Sequence, residues 1–206
     1  METLILGAGQ FGRRAATFLQ KSKGSIAIVD NNKEALDQVT GKTQTFKSEA
    51  IEFMQKHLDR YEWVVPAIPV HVALLWLFSE FKDAGRQIEK ISVPEQVTVP
   101  NPFWHNGTLY ASLASHLCPE DCPEPDGYCT VTGEERKEPL YRILGELKVP
   151  GFTVNVLQSH QMAPGVGGLL VRELKELREE FKSGKSSRIL ATSCGCHAVI
   201  DAFTIK

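Results

Sequence analysis

Apolar residues come in short runs that alternate with helical spacing. Leu4-Ile5-Leu6 is the first run, and it stops at Gly7. Phe11, Ala15, Phe18 and Leu19 follow on one face of a helix. Ser25–Val29, Thr43–Phe46, Glu62–Val65 and Val97–Val99 repeat the strand-type run. Between them lie a capped helix from Asn31-Asn32 through Leu36, one opened by Ser48 and reaching about His57, and a strongly apolar one over His71–Lys82. Strands this apolar are covered on both sides, and alternation with helices supplies the cover. The pattern predicts an α/β fold: a parallel sheet with helices on both faces.

Composition shifts near Pro100, which divides the chain into 1–100 and 101–206. The second part is expected to be a smaller α/β unit. It reads as a helix over Glu138–Leu147 and a strand over Phe152–Leu157. A Gly165-Val166-Gly167-Gly168 turn then opens a helix over Leu169–Phe181. A turn at 183–187 and strands over Arg188–Thr192 and Ala198–Ile205 complete it. The loop Asn101–Gly107, rich in turn formers and aromatics, is expected either near a cofactor or over a sheet edge.

The link between the first strand and helix reads Gly7-x-Gly9-Gln10-Phe11-Gly12. Gly7 permits a tight turn, Gly9 lets backbone approach a diphosphate, and Gly12 lets helix and strand pack closely. Free amides at the helix start face the phosphates. The second strand ends in Asp30, where a carboxylate accepts hydrogen bonds from ribose hydroxyls and repels a 2′-phosphate. Gly7, Gly9, Gln10, Phe11, Gly12 and Asp30 are therefore the expected dinucleotide-binding residues of a Rossmann-like domain, with NAD favoured over NADP.

Ile5-Leu6-Gly7-Ala8-Gly9-Gln10-Phe11-Gly12, Ile28-Val29-Asp30 and the strand end Val64–Pro69 resemble the NAD-binding domain of TrkA/RCK regulators of potassium transport. The resemblance covers about the first hundred residues. It implies a nucleotide-responsive regulatory subunit, with a transporter or redox protein as partner and a homodimer as the assembly. One departure stands out: the family's Gly-Asp pair after the third strand is replaced by Phe46-Lys47-Ser48-Glu49.

Charge and hydropathy narrow the classes. Formal net charge is −2, with no basic stripe, so nucleic acid is not an expected partner. The longest apolar stretch, Val70–Phe78, is too short to span a bilayer. With a strand starting at Thr3, no signal peptide is expected, and the reading is a cytoplasmic protein.

All five cysteines fall in two clusters: Cys118, Cys122 and Cys129 in a loop full of Pro and Gly, and Cys194 and Cys196 after a strand. In a reducing compartment such clusters suggest metal or redox chemistry before disulfides. A loop without helix or ladder needs something to offset its ordering entropy, and thiolate-bound metal does so. The five thiols are read as ligands of zinc or of an iron–sulfur cluster, the Cys-Pro pairs suiting the latter. Free thiols or a Cys194/Cys196 redox pair are the alternatives. His116 and His197 adjoin the clusters as further ligands or proton donors, while His57 and His71 read as structural. A glycine-rich turn at 165–168 is a second candidate anion site. Catalytic residues remain unassigned, and the competing functional reading is an NAD-dependent oxidoreductase that uses the cysteines in electron transfer.

Overall fold

The computed structural model describes residues 2–21, 24–182 and 186–206. Two six-stranded sheets and the helices around them build five layers. The first sheet is made by β1 (Glu2–Leu6), β2 (Ser25–Asp30), β3 (Thr43–Lys47), β4 (Trp63–Pro66), β9 (His160–Ala163) and β10 (Val166–Leu170), in the order β3-β2-β1-β4-β10-β9. Its first four strands are parallel. β10 joins β4 antiparallel, pairing Leu169 with Val64, and β9 folds back on β10.

The second sheet runs β6 (Phe103–His105), β7 (Thr108–Ser112), β12 (His197–Ile205), β11 (Ser186–Ser193), β8 (Thr153–Gln158). β5 (Ile88–Ile91) also pairs with β12. β8 and β11 are parallel, and the other pairs are antiparallel.

Period-two alternation decides what each face of the first sheet meets. Ile5 and Ile28 face α1 (Gln10–Leu19) and α2 (Lys33–Asp37), together with Ala15, Leu19 and Leu36. Leu4, Leu6, Ala27 and Val29 face the opposite way, into the largest core cluster. That cluster is a layer of three helices, α3 (Ala50–His57), α4 (Val72–Asp83) and α6 (Val171–Phe181), lying between the sheets. Phe203, Leu190 and Leu157 close it from the second sheet, and Trp76, Leu77, Phe81 and Phe181 fill it. Arg188 ties α6 to β11: its guanidinium lies 4.3 Å from the Phe181 ring and 2.8 Å from Glu180. The outer face of the second sheet is covered by α5 (Leu140–Gly145), Val93, Val97 and Val99.

The α/β class and the Rossmann-like half are as the pattern predicts, and the local boundaries differ in three places. Val97–Val99 is irregular backbone whose valines bury against α5, and the strand lies earlier, at β5. The glycines at 165–168 do not open a helix. Gly165 turns the β9–β10 hairpin, Gly167 and Gly168 lie inside β10, and α6 starts only at Val171. The 165–168 anion site is therefore withdrawn, because those glycine amides belong to a strand hairpin. The loop 101–107 is a hairpin of the second sheet with Phe103 and Trp104 exposed. The turn expected over 183–187 falls largely outside the described residues. Among the described residues, no helix is long and apolar enough to cross a membrane.

Candidate functional site

The three glycines of the first turn stand in three different environments. Gly7 has φ +100°, and a Cβ on it would lie 2.7 Å from Ile68 Cγ2 and 2.8 Å from the Ala67 carbonyl. A Cβ on Gly12 would lie 1.8 Å from the Gly7 carbonyl oxygen. Gly9 differs: among the described residues its Cβ would meet nothing within 4 Å. The fold needs Gly7 and Gly12 bare, while the space beside Gly9 is left open. Gly9 is also the N-cap of α1, whose internal ladder begins with Arg13 N–H donating to the Gly9 carbonyl at 3.0 Å. The amides of Gln10, Phe11 and Gly12 therefore have no intrahelical acceptor.

Asp30 braces this turn. Its Oδ2 accepts from the Ala8 amide at 2.6 Å and its Oδ1 from the Asn32 amide at 2.7 Å. Each oxygen keeps a second lone pair for a ribose hydroxyl. Open space at Gly9, unpaired amides and a carboxylate at the end of β2 are the features a dinucleotide diphosphate and ribose require. Phe11, expected on the buried face of α1, instead points out with 56 % of its surface exposed.

The two cysteine clusters converge although 65 residues or more separate them in sequence. Cys118 Sγ lies 3.6 Å from His197 Nε2, and Cys194 Sγ lies 4.0 Å from His197 Nδ1. Cys129 Sγ lies 3.7 Å from His116 Nε2. The Arg136 guanidinium donates to Cys196 Sγ. Backbone amides two and three residues on point back at sulfur: Cys196 and His197 N–H at 3.4 and 3.3 Å from Cys194 Sγ. At Cys129 the equivalent contacts from Val131 and Thr132 hold the thiol below its ordinary range, because an N–H donor favours the thiolate. Burial and then the Glu124 carboxylate push Cys194 up to about 12. Burial likewise lifts Cys196 to about 11, against the pull of Arg136. Burial also raises Cys118 and lowers His197. Glu124 stands at φ +46°, and among the described residues its buried Oε1 has no hydrogen-bond partner. Among the described residues, no group of three or more His, Cys, Asp and Glu is gathered tightly enough to hold a metal as it stands.

One cavity of about 710 Å³ lies between the first turns of α1 and the cysteines. Phe11 and Arg14 of α1 line it on one side, and Cys118, Cys122, Cys194 and His197 on the other. The cysteine loop reaches across it. Glu120 ion-pairs with Arg14 at 2.7 Å and accepts from Gln10 Nε2 at 3.5 Å. The loop is seated by the β9–β10 hairpin, where Gly165 N–H and Gln161 Nε2 both donate to the Cys122 carbonyl at 2.9 Å. Gly165 must be glycine, since a Cβ would lie 1.7 Å from the Glu120 carbonyl oxygen.

Residues 62–206 match the AF_1314_C family model, described as "Uncharacterized protein, C-terminal domain". The chain belongs to this family. The AF_1314_C region begins at β4, so it contains both cysteine clusters and the hairpin that seats them. Residues 3–69 match the TrkA-N domain, which supports dinucleotide binding by this part of the chain. A protein of Archaeoglobus fulgidus, described as "Uncharacterized protein", is 29 % identical over 217 aligned positions that cover 97 % of each chain. Both halves therefore occur together in that relative.

Arg14, Glu120, Glu124 and Arg136 escaped the sequence reading. Glu120 and Glu124 stand between cysteines and could have been flagged as acids beside a thiol cluster. Arg14 and Arg136 carry no local signal, because their partners are far away in the chain.

Proposed function

We propose that this AF_1314_C protein is a nucleotide-responsive regulatory subunit of the TrkA type. NAD(H) binds across Gly7, Gly9, Gln10, Phe11, Gly12 and Asp30, and the thiol–imidazole nest holds zinc or an iron–sulfur cluster. The observation that carries this reading is the single cavity shared by the start of α1 and the cysteines.

The donor set suits a thiophilic ion. At zinc bond lengths of about 2.3 Å to sulfur and 2.0 Å to nitrogen, a tetrahedral S···N edge is on the order of 3.5 Å. The Cys118–His197 separation of 3.6 Å is close to that edge. Amides directed at sulfur stabilise thiolates, and an added cation would meet the orphaned Glu124 oxygen. Loading requires side-chain rotation, since no three donors converge as they stand. Glu120 then gives the nest a route to the dinucleotide: it engages Arg14 and Gln10, the side chains at the phosphate end of α1. A transporter or redox protein would receive the signal.

Two measurements test this. NADH titrated into the protein should quench or shift fluorescence with saturation, and NADPH should bind more weakly. Anaerobically purified protein should carry zinc or iron by elemental analysis and should not turn NADH over. Steady single-component oxidation of NADH would instead favour the oxidoreductase reading.

A further inference from the structure

A second polar centre lies away from the cysteines, in the heart of the second sheet. Asp201 of β12 is fully buried. Its Oδ2 faces His71 Nδ1 at 2.8 Å, and its Oδ1 accepts from Thr108 Oγ1 at 2.9 Å and pairs with Lys90 Nζ at 2.7 Å. Burial alone would raise this carboxylate, but the bonds from His71, Lys90 and Thr108 outweigh it and hold Asp201 below its ordinary value. Asp201 therefore stays ionised near neutral pH and accepts a hydrogen bond from His71 Nδ1–H. The opposite ring nitrogen, Nε2, is then a lone pair, and Thr192 Oγ1 lies 2.9 Å from it. Carboxylate, imidazole and hydroxyl thus stand in line, each within hydrogen-bond reach of the next.

The line ends in open space. His71 and Thr192 line a cavity of about 350 Å³, together with the apolar Pro66, Ile68, Leu169 and Val199. Exposed Val70 and His105 line it as well, so it reaches solvent. A network serving only to stitch the core needs no such room beside its hydroxyl.

We propose that this is an acyl-transfer site: Thr192 is the nucleophile, His71 its general base, and Asp201 the residue that positions His71. Such an arrangement is recognised by geometry and roles rather than by chain order. The apolar walls suit a small ester or thioester with an aliphatic acyl chain. Thr192 Oγ1 forms a bond to the acyl carbon as its proton passes to His71 Nε2. The bond to the leaving alkoxide or thiolate breaks, and that group takes the proton from His71. Water, deprotonated by the same nitrogen, then adds to the acyl carbon; the bond to Thr192 Oγ1 breaks, that oxygen takes the proton back from His71, and the carboxylic acid leaves. No electron changes hands and no further reactant is needed. The inference does not rest on nucleotide or metal binding.

Diisopropyl fluorophosphate tests it, because the reagent marks hydroxyls activated by a neighbouring base. A bond from oxygen to phosphorus forms as fluoride leaves, and the threonine proton goes through His71 to solvent. The full-length protein should gain one diisopropylphosphoryl group, mapped to Thr192 by peptide mass spectrometry. T192S should keep the label and T192V should lose it. H71Q should slow labelling by about a hundredfold or more, the usual share of a general base. D201N should slow labelling of the folded protein by about tenfold or more, because an amide at 201 can donate to Nδ1 and leave the ring proton on Nε2, where it faces Thr192. A purely structural Asp201 would leave the labelling rate of folded D201N unchanged. Absence of label at Thr192 under conditions that fully label a serine hydrolase overturns the proposal, as does label confined to thiols. Labelling in a folded H71Q at the wild-type rate overturns it too. If H71Q does not fold, wild type against T192V still decides.

Discussion

Gly9 and Gly12 separate what the fold needs from what a ligand needs, and substituting each by alanine tests the dinucleotide site. At Gly12 the new Cβ would sit 1.8 Å from the Gly7 carbonyl oxygen. Real contacts rarely fall below about 3 Å, so α1 must retreat from β1 by about an ångström. Overpacking on that scale costs about 3 kcal/mol, at the upper end for a filled core. For a chain of this size, that lowers Tm by about 6–12 °C. At Gly9 the Cβ meets nothing among the described residues, and φ is −64°, which any residue adopts. Alanine is a poorer N-cap than glycine by about 0.5–1 kcal/mol, while losing glycine's unfolded-state freedom returns about 0.4–1. Tm should therefore stay within about 2 °C of wild type. The same Cβ occupies the space where a diphosphate would approach the backbone, so NADH affinity should fall at least about thirtyfold, or about 2 kcal/mol. Differential scanning fluorimetry and isothermal titration calorimetry on both variants give the four numbers. A stable G9A protein that binds NADH as wild type does would refute the placement of the phosphates at this turn.

Other expectations follow from the same geometry. D30N should bring NADH and NADPH affinities together, because the carboxylate that excludes a 2′-phosphate is gone; parallel titrations check this. E120Q should tighten NADH binding by about two- to fivefold, the worth of an exposed ion pair, if Glu120 competes for Arg14; an unchanged or weaker Kd contradicts that. Zinc added at pH 7 should release protons into an indicator solution, since Cys194 and Cys196, at about 12 and about 11, are protonated there; binding without proton release would exclude both as ligands. Asp201 is held below its ordinary value of 3.8, so its contribution to stability is present above that pH and is lost as pH falls through the lower folded value. D201N should accordingly flatten the acid limb of a urea-midpoint curve, and a limb as steep as wild type would rule that contribution out.

The dinucleotide half was legible because its signals are local. Leu4-Ile5-Leu6, the three glycines and Asp30 lie within thirty residues and fix one strand–turn–helix–strand unit by themselves. The convergence of the cysteine clusters was legible too, from their confinement to two short stretches. Non-local pairings were not legible. Val166–Leu170 looks like a turn running into a helix, and only its antiparallel pairing with β4 makes it a strand. Ile88-Glu89-Lys90-Ile91 carries weak strand propensity, and its partner is β12, more than a hundred residues away. His71 read as a structural histidine because Asp201 and Thr192, its partners, lie 130 and 121 positions downstream.

The pairing of β4 with β10 bears on how the chain is made. Val64 cannot find Leu169 until more than a hundred further residues have been synthesised, about 5–20 s at ordinary elongation rates. During that interval the growing polypeptide carries an uncovered β-edge beside its glycine turn. Protection by a holding chaperone, or by early capture of NAD(H) on the ribosome, would suit a protein whose first sheet is closed by residues so far downstream.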